Sequence, residues 1–148
     1  MTPSDYQRAA ARTLAATLNS RARLSMLALG VVGEWSEYEQ AIGSLTEAEE
    51  AGDVLWYIAG MCTVLGVDMA ILAGLPSNEA FVVDALGNVC EPIKKHLYHG
   101  KDLDKTRVLR GCAHLYLGLG GRYDLPGIMA ANIDKLRKRW PDGFGVGG

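Results

Sequence analysis

Four carboxylates carry the most chemistry in this chain. Glu34 and Glu37 are three apart, and after twelve residues Glu50 and Asp53 are three apart again. Positions i and i+3 of a helix share a face, so each pair offers two carboxylates side by side. Glu37 and Glu50 are equally distant from the midpoint between Gly43 and Ser44, and so are Glu34 and Asp53. If that midpoint is a tight turn between antiparallel helices, each rising about 1.5 Å per residue, all four groups converge on one patch. Like charges at such range raise one another's pKa unless a cation neutralises them. An all-oxygen, hard donor set suits Mg²⁺ or Mn²⁺ rather than zinc or copper. Mg²⁺ usually completes its shell with waters and substrate phosphates, so the pattern points to phosphoryl chemistry. The competing reading is a pair of solvated helix faces, the ordinary fate of such spacings and the one expected for Glu47, Glu49 and Asp68. Against it, Glu34 interrupts the apolar stripe of Leu27, Val31 and Tyr38, and Asp53 lies in an otherwise uncharged run from Ala51 to Ile58. Carboxylates flanked in this way are partly buried and need partners.

The elements that would position these groups are helical in period, with no alternating strand and no Asn-Gly or Asp-Gly hairpin signal. The fold class expected is all-α. Ser4 is the expected N-cap of a first helix running to about Asn19. A second helix spans about Arg21 to Ile42, with Leu24, Leu27, Val31, Trp35 and Tyr38 on one stripe, and Gly43 suits a left-handed C-terminal position. Thr46 to Glu49 reads as a capping box for a third helix ending near Leu65. Gly74 to Asn78 links to a fourth helix, Glu79 to Tyr98, in which Pro92 marks a break point. A fifth spans Leu103 to Leu119 and a last one Gly127 to Arg139, stopped by Pro141 before a glycine-rich tail. Ala28–Glu34 matches Ala85–Glu91 at five of seven positions. The expected architecture is one domain over 1–148. It holds a catalytic hairpin at about 21–66, a degenerate second hairpin at about 79–119, and N- and C-terminal helices.

The 148 residues suffice for one core without staples. The net charge of −2 gives no electrostatic footprint for nucleic acid, so no nucleic-acid partner is expected. No stretch reaches the roughly 18 apolar residues of a membrane span, and none is expected to meet a membrane. Three cysteines, dispersed and without a CxxC pair, argue against a disulfide framework or a zinc site and for a reducing, cytoplasmic setting.

Gly33-Glu34-Trp35-Ser36-Glu37, followed by Glu50-Ala51-Gly52-Asp53-Val54-Leu55-Trp56-Tyr57, resembles the signature of the MazG-like all-α NTP pyrophosphatases. Tyr6-Gln7 with Thr13, the stretch Ile93 to Lys101, and Asn132 to Phe144 resemble phage-type members. The resemblance implies hydrolysis of a nucleoside triphosphate between its α- and β-phosphates, giving a monophosphate and pyrophosphate. It makes Glu34, Glu37, Glu50 and Asp53 the Mg²⁺ ligands, with one unassigned carboxylate as general base. The family's pockets accept different nucleotides, so the base and sugar of the NTP or dNTP stay open; the phage-type resemblance leans towards guanine nucleotides such as dGTP and GTP, and a homodimer or homotetramer is the implied assembly. Here the Lys-Lys-His stretch follows both acidic pairs, where the simple family pattern places it between them. In the repeat, Glu91 is kept, Lys94 replaces Glu37, and Leu109 and Cys112 replace Glu50 and Asp53. One metal site per chain is expected, with cations from the second half or from a neighbouring subunit.

Lys94, Lys95, His99 and Lys101, with His96, form the densest basic cluster and are either triphosphate contacts or a solvated helix end. Asn132, Lys135 and Arg139 share a helical face; the resemblance makes them substrate contacts, the alternative being charge that complements a helix C-terminus. Trp35 and Trp56 are core residues or base-stacking platforms. Tyr57, one turn after Asp53, could support it, and the resemblance takes Tyr6 and Gln7 to the base. An oxidative di-metal bundle needs Glu-x-x-His motifs; Ile93, His96 and Gly111 stand three before the three histidines. A nucleotide-sensing or helical interaction protein of the same fold is the alternative function.

Overall fold

A computed structural model of the chain describes residues 1–14, 18–77 and 79–143. Among them there are six α-helices, one short 3₁₀ helix and no strand, so the fold is an all-α bundle. The expected first-helix segment over 15–17, Asn78 of the linker, Phe144 and the end of the glycine-rich tail lie outside the described residues.

Helix α1, Pro3–Ala11, begins earlier than expected. Thr2 caps it, its hydroxyl accepting the Asp5 N–H at 3.1 Å, and Pro3 supplies a first-turn φ at no hydrogen-bond cost. Ser4 is therefore inside the helix and donates to Asp68 instead, at 2.7 Å. Helix α2, Ser20–Ala41, is capped by Asn19, and Gly43 follows it at φ +86°, as its position predicted. Helix α3, Glu47–Leu65, starts without the expected capping box: Thr46 makes no side-chain cap bond and its hydroxyl meets Ser44 Oγ at 3.1 Å. Glu47 instead folds back to the Gly43 N–H at 3.2 Å. A 3₁₀ helix, Met69–Gly74, which the periodicity did not show, is capped by Asp68. Helix α4, Val82–Tyr98, runs uninterrupted through the buried Pro92, contrary to the expected break. Helices α5, Lys105–Gly120, and α6, Leu125–Arg139, complete the chain, α6 starting with Pro126 in its first turn.

Two hairpins, α2 with α3 and α4 with α5, pack as the repeat implied, and α3 is central, touched by α1, α2, α5 and α6. The expected stripe of α2 is buried in one continuous core, together with Ala51, Val54, Leu55, Ile58, Cys62 and Leu65 of α3. Close approach needs glycine at specific points. A Cβ on Gly111 would lie 2.5 Å from the Ala85 carbonyl oxygen, which sets how tightly α5 meets α4. Helix α4 runs antiparallel to α2, since the Cys90 thiol meets the Ala28 carbonyl at 3.8 Å and Arg21 donates to the Leu97 carbonyl at 2.5 Å. No described helix is long and apolar enough to cross a membrane.

Candidate metal centre

Helices α2 and α3 bring Glu34, Glu50 and Asp53 together, each with a carboxylate oxygen within 4.8 Å of the others. Glu34 faces Asp53 as their equal distance from the turn required. Glu37, one turn on from Glu34, is exposed and stands beside this trio rather than within it. Glu34 Oε2 and Glu50 Oε2 are both buried and accept no hydrogen bond, a costly state for carboxylate oxygens. Burial first, then repulsion from Asp53, Glu37 and Glu50, pushes Glu34 up to about 7. Burial, then Asp53 and Glu37, also raises Glu50, while Lys135 opposes the rise. A compact, all-oxygen trio with two unpartnered buried oxygens fits a hard divalent cation.

Helix α6 covers this patch. Lys135 Nζ reaches Asp53 Oδ1 at 2.5 Å and Glu49 Oε1 at 3.3 Å. Burial alone would lower the Lys135 pKa, but these two contacts outweigh it and hold it above the usual lysine value. Asn132 is the one buried polar residue among those described, 4% exposed, and its Nδ2 lies 3.4 Å from Asp53 Oδ1. Gly52 makes room for it, since a Cβ there would lie 3.2 Å from Asn132 Cβ.

A cavity of about 520 Å³ opens beside the carboxylates, within the range of small-molecule sites, between Glu34, Asp53, Trp56, Tyr57, Asn132, Lys135, Arg139, Trp140 and Met26. The Trp56 and Tyr57 rings meet edge to face, centroids 4.8 Å apart. Trp56 Nε1 is held by Thr13 Oγ1 at 2.8 Å. Tyr57 lies over Gly30, where a Cβ would fall 2.0 Å from its ring.

Several expected residues lie elsewhere. Trp35 is core: it is buried, donates to Glu39 Oε1 at 2.7 Å, and packs on Tyr38. Lys94 pairs with Glu91 at 2.8 Å, and His96 Nδ1 with the Lys101 carbonyl at 2.8 Å. Lys95, His99 and Lys101 are exposed at the C-terminal end of α4. Because α4 is antiparallel to α2, that end lies beside Arg21, thirteen residues or about 20 Å of helix from Glu34, and none of the four expected cations lines the cavity. Within the chain, α6 supplies the site's cations. Tyr6, fully buried, bonds Asn132 rather than facing the cavity, and Gln7 ties α1 to Val67 and Met69. Of the three acids read as solvated, Glu49 and Asp68 are exposed as expected, meeting Lys135 and Ser4 at the surface, while Glu47 is half-buried and accepts from Tyr123 and Arg122. Met26, Trp140, Gly30 and Gly52 were not singled out as site residues from sequence. The two glycines carried the only legible signal, since glycine inside a helix generally has a packing reason.

No family model, curated protein or solved structure matches this chain.

Proposed function

We propose that the chain is a Mg²⁺-dependent nucleoside triphosphate pyrophosphohydrolase of the MazG-like all-α kind, converting an NTP or dNTP to the monophosphate and pyrophosphate. The observation that carries this reading is the carboxylate trio of Glu34, Glu50 and Asp53, with its unpartnered buried oxygens, opening onto an aromatic cavity that also holds Lys135 and Arg139. In this reading the trio holds the cation. Bound there, Mg²⁺ (or Mn²⁺) supplies charge neutralisation for the phosphates and a more acidic water. Glu37, open to solvent beside the trio, is the carboxylate left to take a proton from the attacking water. Lys135 and Arg139 meet phosphate oxygens as cations, which requires Lys135 to exchange part of its bond to Asp53 for the substrate. Trp56 and Tyr57 offer faces or edges to a base. The apolar breadth of that wall suits a purine, and the guanine preference rests on the sequence resemblance. The exposed basic end of α4 would act on a site only across a subunit boundary, which makes the homodimer or homotetramer part of the same proposal.

The test is pyrophosphate release from the eight common NTPs and dNTPs, with and without Mg²⁺, for the wild type and Glu50→Gln. Metal-dependent release that Glu50→Gln abolishes supports the reading, and relative rates name the base. Metal and nucleotide binding without release from any substrate would move the assignment to a nucleotide-binding protein.

A further inference from the structure

The first helix reaches the carboxylate site through one buried hydrogen-bond chain. The Tyr6 hydroxyl, completely shielded from solvent, lies 2.8 Å from Asn132 Oδ1 and 3.4 Å from the Gly52 carbonyl oxygen. A phenol has one proton to give, and the shorter contact takes it. The Gly52 carbonyl, inside α3, already has a helical donor. Asn132 therefore presents its oxygen to Tyr6 and its amide nitrogen to Asp53 Oδ1. The flipped amide would place Asn132 Oδ1 against a carboxylate oxygen, acceptor against acceptor. Burial sharpens the constraint, because Asn132 is only 4% exposed and a misdirected amide is poorly compensated by solvent. Asn132 also lines both the aromatic cavity and a second groove of about 810 Å³ between α3 and α6. Its donor edge thus sits where Asp53 meets open space.

We infer that Tyr6 is a positioning residue for the site: its hydroxyl locks the Asn132 amide with Nδ2 towards Asp53, and so fixes the Asp53 carboxylate for a divalent cation. The inference rests on the metal-site reading given above, and its core is testable without turnover. Partners that orient metal ligands from behind typically change affinity or activity about 10–100-fold when removed. Tyr6→Phe keeps the ring in the core and deletes only the hydroxyl. A bystander role would weaken packing equally whatever stands at position 132, whereas a role exercised through Asn132 disappears when Asn132 is gone.

The experiment is a double-mutant cycle over wild type, Tyr6→Phe, Asn132→Ala and the double variant. Mn²⁺ affinity is measured by calorimetry on the nucleotide-free protein, with thermal melts and pyrophosphate release alongside. The expected result is that Tyr6→Phe weakens Mn²⁺ binding about tenfold in the Asn132 background and changes it less than twofold in the Asn132→Ala background. Equal losses in both backgrounds, or no loss in either, overturn the inference. Should Tyr6→Phe fail to fold, the wild type decides by NMR: the Asn132 side-chain amide protons shift on adding Mg²⁺ if the amide faces the occupied site, and unmoved resonances overturn the inference. The two readings separate cleanly. A coupled Mn²⁺ cycle without pyrophosphate release keeps the positioning role and discards the pyrophosphatase, release with an uncoupled cycle does the reverse, and a wild type that binds no Mn²⁺ discards both.

Discussion

Replacing Glu34 by Gln is expected to stabilise the metal-free protein while destroying the proposed cation site. In the folded chain Glu34 titrates at about 7 against a reference of 4.5, chiefly because it is shielded and then because three other acids surround it. The folded state therefore keeps a proton that the unfolded chain releases. Stability without metal is fully present below about pH 4.5 and falls as pH rises through about 7. Each pH unit between those values is worth about 1.4 kcal/mol, giving an upper bound of about 3.4 kcal/mol. Glu34 is only half-buried, and solvent screening reduces this to about 1–2 kcal/mol. Gln removes the charge at nearly constant shape. At pH 8 in EDTA, Glu34→Gln should melt roughly 3–8 °C above wild type, and the difference should vanish near pH 4.5. Saturating Mg²⁺ reverses the order: a cation at 100 times its dissociation constant adds about 2.7 kcal/mol to a protein that binds it, and the variant gains little. The assay is a set of thermal melts across pH 4.5–8 in EDTA and in Mg²⁺. A variant less stable than wild type at pH 8 in EDTA would refute the reasoning, as would a wild-type melt indifferent to Mg²⁺.

Lys135→Met should leave Mn²⁺ binding as tight as wild type or tighter, because it removes the ammonium 2.5 Å from Asp53, while pyrophosphate release falls at least tenfold; weaker metal binding would show that Lys135 organises the acids rather than competing for them. Gly30→Ala should drive the Tyr57 ring, 2.0 Å from the new Cβ, into the cavity, weakening nucleotide binding in calorimetry far more than it lowers the melting temperature. Gly111→Ala presses a methyl on the Ala85 carbonyl, backbone that cannot swing aside; it should cost about 1–3 kcal/mol in urea unfolding and leave Mn²⁺ affinity unchanged.

Three of the four carboxylates expected to converge do so, because helical period and a symmetric turn are local rules; Glu37 points to solvent instead. Counting outward from Gly43 and Ser44 placed Glu34 opposite Asp53, and the helices kept that register. The apolar stripe of α2 was legible for the same reason. What eluded the sequence depends on how distant elements meet. Lys94 to Lys101 looked like a phosphate site because the cluster is dense, but the antiparallel course of α4 along α2 takes it to the far end of the bundle. The resemblance takes Tyr6 to the base, but α6 brings Asn132 to its hydroxyl. The capping box failed because Ser44 Oγ takes both the Thr46 hydroxyl and its N–H, while Glu49, the acid of the box, turns to Lys135 of α6, a tie that sequence spacing does not encode.

The two hairpins explain one another electrostatically. In the second, Glu91 stands where Glu34 stands in the first. Its hydrogen bond to Lys94, one turn on, followed by the nearby charge of Lys94, Lys95 and Arg107, holds it below the usual glutamate range. The positions matching Glu50 and Asp53 are Leu109 and Cys112, both buried, and burial pushes the Cys112 thiol upward so that it stays neutral. At the positions that match the four acids of the first hairpin, the second has one acid, Glu91, with its own counter-charge, and those positions do not call for a cation. The first hairpin has a lysine only from α6, set against Glu34, Glu37, Glu50 and Asp53, and Lys135 touches Asp53 while leaving Glu34 Oε2 and Glu50 Oε2 unpartnered. One ammonium cannot satisfy acids held on two helices, because its charge is single and its reach is one side of the cluster. A divalent cation between the helices can. The same comparison predicts where a metal would be lost first: any change that gives Glu34 or Glu50 a resident cation, as Lys94 does for Glu91, should turn the first hairpin into a copy of the second.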